Sequence, residues 1–347
     1  MVQNMKIELD NKNLRYTGRI DDSNPKKPEF IFAATSLEFC FRGTKAALTV
    51  TNRRQYWNSY IGVIVDGKQR CMQLNESGTT VLELVNNLSE AKHTVMVFKR
   101  MDCCHEIVLE ELELDGELLA MPERPARRIE VYGDSVSAGE VVEALDYLGK
   151  EDPEHEGQYS NSWYSYSWQT ARRLGAELHN IAQGGIALLN GTGWFNPPDY
   201  VGMESAWDKV HYNPEFGECT KWDFTRYRPQ LVIVAIGQND SNPYDYMKED
   251  PKGEEAANWK RHYRDFLCRL REVYPQAYIL SITTLLQHDR AWDDAIDEVC
   301  RQINDKRLSH YMFRRNGSAT PGHLRIPEAQ EMAEELESYI QGLGIQW

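Results

Sequence analysis

The run Leu231-Val232-Ile233-Val234-Ala235-Ile236 is apolar at every position, and it constrains the fold more than any other stretch. An amphipathic helix or a half-exposed strand would show polar side chains within six residues. A strand covered on both faces needs none, and such strands belong to parallel sheets with helices on each side. The surrounding sequence supplies those helices, at Trp163–Leu174, Glu254–Val273, Asp293–Ile303 and Glu328–Leu343. In the last, Ala329, Met332, Ala333, Leu336, Tyr339, Ile340 and Leu343 recur at helical spacing behind Pro327. Companion strands are expected at Ile129–Tyr132, Leu178–Ala182, Tyr278–Thr283 and Tyr311–Phe313. Strand and helix in alternation make a doubly wound α/β sheet, whose ligands sit at the carboxyl ends of the strands.

The first third of the chain has another period. Leu37, Phe39 and Phe41 alternate with Glu38, Cys40 and Arg42, as in a half-buried strand. Similar runs follow at Ala47–Thr51, Tyr60–Val65, Val81–Val85, His93–Phe98 and Ile107–Leu114, with turn signals at Asp66-Gly67 and Asp115-Gly116. Short strands without helices predict a β-sandwich of jelly-roll type. The segment Met121-Pro122-Glu123-Arg124-Pro125 reads as the linker, which divides the chain into residues 1–122 and 123–347.

Composition excludes several classes. A formal charge of −14 is opposite to what phosphate-backbone binding needs, so no nucleic-acid partner is expected. No apolar run approaches the roughly 20 residues of a membrane helix, and Met1–Glu8 lacks the apolar core of a secretory signal. The seven cysteines are odd in number and irregularly spaced, which fits reduced thiols and a cytoplasmic chain. Oligomeric state is not legible.

Chemistry concentrates in four segments. Gly133-Asp134-Ser135 breaks an expected strand into a turn and helix, a geometry that lifts the Ser135 hydroxyl clear of the sheet beside free helix N–H groups. Gly184-Gly185 follows the second strand, where a glycine lets the backbone approach a ligand. Asn239, in Gly237-Gln238-Asn239-Asp240, follows the apolar strand, and His323 precedes the last helix. Each has an ordinary reading: a connection, a turn, a helix cap, a solvated histidine. Together, in this order, they supply what acyl transfer needs. Ser135 is the nucleophile, His323 the base, and the Ser135 and Gly185 amides with the Asn239 carboxamide form the oxyanion hole. No metal or organic cofactor is required.

This ordered set resembles the SGNH (GDSL-type) hydrolases, whose four blocks carry Ser, Gly, Asn and His on a flavodoxin-like sheet. The β-sandwich placed ahead of it, and the stretch from Val97-Phe98-Lys99-Arg100 through Leu114-Asp115-Gly116 into the serine block, are similar to the family 2 carbohydrate esterases. The resemblance implies removal of O-acetyl groups from sugars of plant polysaccharides such as xylan and mannan. One position departs from the superfamily: the Asp usually found three residues before the histidine is Thr320 here. The expectation is therefore a Ser–His dyad, with a backbone carbonyl of Thr320 or Pro321 accepting from His323 Nδ1–H.

Indole faces stack well on the C–H faces of sugars, and Trp194 and Trp292, both in loops after strands, are the candidates for the substrate site. The alternatives are another SGNH esterase acting on lipid, aryl or thioester substrates, and a non-catalytic carbohydrate-binding protein. The acidic loop Glu151-Asp152-Pro153-Glu154-His155-Glu156 speaks against an apolar lipase lid.

Overall fold

The structure, a computed structural model, describes residues 5–347. Its second part is a five-stranded parallel sheet: β1 (Arg127–Gly133), β2 (Ala176–Ala182), β3 (Leu231–Ala235), β4 (Tyr278–Ile282) and β5 (Leu308–Tyr311). The strand order is β2-β1-β3-β4-β5, the flavodoxin-like order of a doubly wound fold. The apolar run behaves as its composition requires. Leu231, Ile233 and Ala235 enter one core, and Val232, Val234 and Ile236 enter the other.

Helices cover both faces. The five that position the site are α1 (Ser135–Ala138), α2 (Tyr166–Arg173), α3 (Glu254–Val273), α4 (Ala291–Ile303) and α5 (Ile326–Gly342). Trp259, Tyr263 and Phe266 of α3 pack on one face with α4. Tyr166 and Trp168 of α2 pack on the other with Met332 and Leu336 of α5. Two expectations shift. The Trp163–Leu174 helix is a 3₁₀ turn (Ser162–Tyr164) followed by α2, because the Asn161 and Ser165 side chains each cap a separate start. The last strand pairs over Leu308–Tyr311, and Phe313, read as strand, packs in the core beyond it.

Ahead of this sheet lie two antiparallel sheets. One is built on Ala46–Arg54, Gly78–Val85 and His105–Leu114. The other is built on Ser36–Gly43, Tyr60–Val65, Lys68–Gln73 and Ala91–Lys99. Leu48, Val50, Ile107 and Leu109 of the first meet Leu37, Phe39, Val63 and Val95 of the second in one apolar core, which makes a β-sandwich. The sandwich is wedged onto the parallel sheet. Phe98 packs edge-on to Trp168 of α2. The buried Arg19 donates to Glu130 Oε1 at 3.1 Å and to the Tyr132 hydroxyl at 2.6 Å, both on β1. No described helix is long and apolar enough to cross a membrane.

Candidate active site

The carboxyl ends of β1, β2 and β3 carry the serine, glycine and asparagine segments to one place. Ser135 is the first residue of α1 and 5% exposed. Asp134 caps that helix by accepting from Val136 N–H at 3.0 Å, and its other oxygen accepts from the Gln238 amide at 3.0 Å. One buried carboxylate thus links the serine turn to the asparagine turn. Burial pushes the Asp134 carboxyl up, against the opposing effect of these hydrogen bonds.

Gly185 has φ +71, and a Cβ there would stand 2.7 Å from Trp194 Cβ, so the turn needs glycine on both counts. Asn239 Nδ2 donates to the Ile186 carbonyl of that turn at 3.0 Å, leaving its second N–H for the cavity. The neighbouring Asp240 accepts from Leu188 and Leu189 N–H at 2.7 and 3.1 Å, and burial raises it to about 7. The backbone N–H groups of Ser135 and Gly185 have no protein acceptor among the described residues.

Ser135, Gly185, Asn239 and His323 line one cavity of about 430 Å³, with Tyr56, Trp57, Glu140, Asp152 and Trp194 among its other walls. Tyr56 and Trp57 come from a sandwich loop. So does Asp102, whose Oδ2 accepts from Gly184 N–H at 2.6 Å and the Gln183 amide at 2.9 Å. The sandwich therefore braces the glycine turn and walls the site.

The dyad expectation is corrected at His323. Its Nδ1 lies 2.5 Å from Asp152 Oδ2, and Asp152 Oδ1 accepts from His323 N–H at 2.9 Å and Arg325 Nη2 at 2.9 Å. The Thr320 carbonyl, one of the two expected acceptors, instead accepts from Gln287 N–H at 2.9 Å. A carboxylate from the acidic loop between α1 and α2 thus occupies the place of the missing Asp. Burial alone would raise Asp152, but the His323 hydrogen bond and charge, then Arg325, hold it well below the usual carboxylate range. Burial disfavours the His323 cation, yet Glu140 and Asp152 outweigh it and lift the imidazole to about 9.

The tryptophans separate. Trp194 is 64% exposed and lines the cavity. Trp292 is corrected: it is fully buried between Trp259 and Tyr246, with its indole N–H on Asp245 Oδ1 at 3.0 Å. It presents no face to a ligand, because α4 begins at Ala291 and turns the ring into the core. Sequence reasoning missed Asp152, Glu140, Asp102, Tyr56 and Trp57. Glu140 stands just past the serine block, five residues after Ser135; Asp152 lies in a loop away from all four blocks, and the other three lie in the sandwich.

Glu29, Glu106 and His211 approach one another closely enough to hold a metal ion, but protein cations already occupy that cluster. Arg53 bridges the two glutamates at 2.9 and 2.5 Å, and both His211 nitrogens meet carboxylates, Glu106 at 3.0 Å and Asp21 at 2.9 Å.

A doubly wound sheet in the 2-1-3-4-5 order, with these four segments at one end, defines the class as the SGNH fold carried behind a β-sandwich. Residues 16–122 match the family model described as the carbohydrate esterase 2 N-terminal domain. The chain is 28% identical over 348 residues to the cellulase/esterase CelE of Acetivibrio thermocellus. That match covers 96% of this chain but spans only 40% of CelE. It is 27% identical to an acetylxylan esterase / glucomannan deacetylase of Cellvibrio japonicus, covering 96% of this chain and 90% of that protein. A family two carbohydrate esterase from Clostridium thermocellum, solved with cellohexaose, superposes with a TM-score of 0.80 at 25% identity over 95% of this chain and 98% of that one. Over nearly its whole length the chain is similar to family 2 carbohydrate esterases, and its residues 16–122 match that family's N-terminal model.

Proposed function

We propose that the protein is a serine esterase that removes O-acetyl groups from plant-derived oligosaccharides, acetylated xylan or mannan fragments, through an acyl-enzyme. The observation that carries this reading is the His323–Asp152 couple lining the same cavity as Ser135 and Asn239. His323 takes the Ser135 proton as Oγ bonds to the acetyl carbon. Asp152 fixes the imidazole tautomer and balances the charge that forms, the two tasks of an orienting carboxylate. The Ser135 and Gly185 amides and the Asn239 carboxamide receive the oxyanion. The carbon–oxygen bond to the sugar breaks, His323 protonates the departing hydroxyl, and water then repeats the cycle to free acetate.

The cavity's chemistry favours sugars over acyl chains. Glu140, Glu151 and Asp152 stand among its walls beside Tyr56, Trp57 and Trp194, polar groups and aromatic faces instead of an apolar tunnel. The Cellvibrio japonicus relative named for acetylxylan and glucomannan points the same way. The same reading divides the chain between residues 122 and 123, supported by the family match ending at 122 and β1 beginning at Arg127. It also keeps the protein in the cytoplasm, which seven unpaired cysteines favour.

The test is acetate release, followed by NMR, from acetylated xylan and mannan digests. Release by the native protein and its loss in Ser135→Ala are the expected result. No release from either digest contradicts the reading.

A further inference from the structure

The mechanism above leaves two acidic side chains of the cavity without a task, the exposed Glu151 and the half-buried Glu140, and Glu140 is the one tied to the nucleophile. Glu140 follows Gly139, the left-handed residue that ends α1. Its N–H donates to the Ser135 carbonyl at 3.0 Å, so the backbone ties it to the turn that carries the nucleophile. Its side chain lines the cavity with Ser135, Gly184 and His323. A Cβ at Gly184 would stand 2.5 Å from Glu140 Oε2 and 2.6 Å from Asp102 Oδ2. Two carboxylates therefore pack against one α-carbon, and any larger residue at 184 would displace both.

These two acids differ in what they hold. Asp102 Oδ2 receives the Gly184 N–H and the Gln183 amide, so its work is structural. No protein donor reaches the Glu140 carboxylate among the described residues, and His323 is the only cationic side chain among the residues lining the cavity. Nearly all buried polar groups in proteins have partners, and a carboxylate held in a half-buried wall without donors is costly. A donor that arrives with the substrate relieves that cost. Sugar hydroxyls are such donors, and a partly acetylated sugar presents them next to its ester.

We propose that Glu140 is the specificity-determining residue of this site: its carboxylate accepts a hydrogen bond from a free hydroxyl of the sugar whose acetyl group lies at Ser135. The site then selects partly acetylated sugars over fully acetylated ones. This inference rests on the reading of the cavity as a carbohydrate deacetylase site. The ionisation states agree with it. Burial pushes Glu140 up to about 7 while His323 opposes and Asp102, Asp152 and Asp134 reinforce the rise. At the higher pH where His323 is a free base, Glu140 is ionised and ready to accept.

The experiment compares kcat/KM for an aryl acetate, a mono-acetylated xylo- or manno-oligosaccharide and its fully acetylated counterpart, using native protein, Glu140→Gln and Glu140→Ala. The native protein prefers the mono-acetylated sugar to the fully acetylated one. In Glu140→Ala the ratio of mono-acetylated sugar to aryl acetate falls about ten-fold or more, as for loss of a hydrogen bond to a charged group, and Glu140→Gln, which keeps an acceptor oxygen, retains part of it. An unchanged ratio in both variants overturns the inference, even if their pH profiles move. Equal native activity on the mono- and fully acetylated sugars also overturns it, with no need for a folded variant. Native protein that cleaves the aryl acetate but no acetylated sugar is a different failure, that of the deacetylase reading itself.

Discussion

Two histidine–aspartate couples stand at the carboxyl end of the sheet, and only one lines the cavity. His288, in the loop after β4, reaches Asp293 Oδ2 through Nε2 at 2.9 Å and the Leu286 carbonyl through Nδ1 at 2.7 Å. His310 and Asn316 close around the same carboxylate. Both nitrogens of His288 are thus consumed by the fold. His323 uses only Nδ1, on Asp152, and no protein partner holds its Nε2 among the described residues. Burial disfavours both cations and a neighbouring acid raises both, so the shift alone does not tell them apart. A paired imidazole becomes a candidate base only when its second nitrogen meets an open cavity.

The largest effect expected from this contrast is in Asp152→Asn. Loss of the tautomer and counter-charge costs about 10³–10⁴-fold in kcat on an aryl acetate, by analogy with the serine protease case. A loss under ten-fold would return the site to a dyad. Next comes pH. With His323 raised to about 9, kcat/KM on the same substrate climbs by tens of fold from pH 7 to its half-maximum near 9 and levels off only above about pH 10, because the base works only when neutral. Stability runs in the opposite direction. The folded-state pKa lies above the ordinary 6.5, so the His323 contribution is complete below about pH 6.5 and is lost as pH rises through about 9. Thermal melts from pH 6 to 10 check that sign.

Smaller effects sharpen the same comparison. Trp194→Ala removes an exposed face worth about 1 kcal/mol of stacking, so KM for an acetylated oligosaccharide rises about five-fold while aryl acetate turnover holds. His288→Gln alters turnover by less than about two-fold. It lowers stability by about 1–3 kcal/mol, since Asp293 loses a buried partner, and denaturant unfolding measures that loss.

Sequence pattern carried the architecture because burial on one or both faces leaves a period in the residues. The fully apolar β3 and the twenty-residue α3 were legible for that reason. Ser135, Gly185, Asn239 and His323 were legible because each sits at a fixed place, just beyond a strand or just ahead of the last helix, and the cavity brings them together. Asp152 was not. It reaches the ring from 171 residues away in sequence, out of a loop whose acids look like ordinary solvated charge, and its anchor Arg325 is buried by tertiary contact alone. Trp292 misled because a tryptophan just after a loop and one at the start of a core-facing helix share the same local sequence. Asp102, Tyr56 and Trp57 belong to the sandwich, and only docking of the two parts makes them walls of the site.

The central claim is that Ser135 is a nucleophile activated by His323, and a fluorophosphonate probe tests it most directly through intact mass and peptide mapping. One adduct, on the peptide carrying Ser135, forming faster as pH rises toward 9 and far more slowly in His323→Ala, is the predicted result. Labelling at another residue, or labelling of Ser135 at the same rate without the imidazole, would contradict the account.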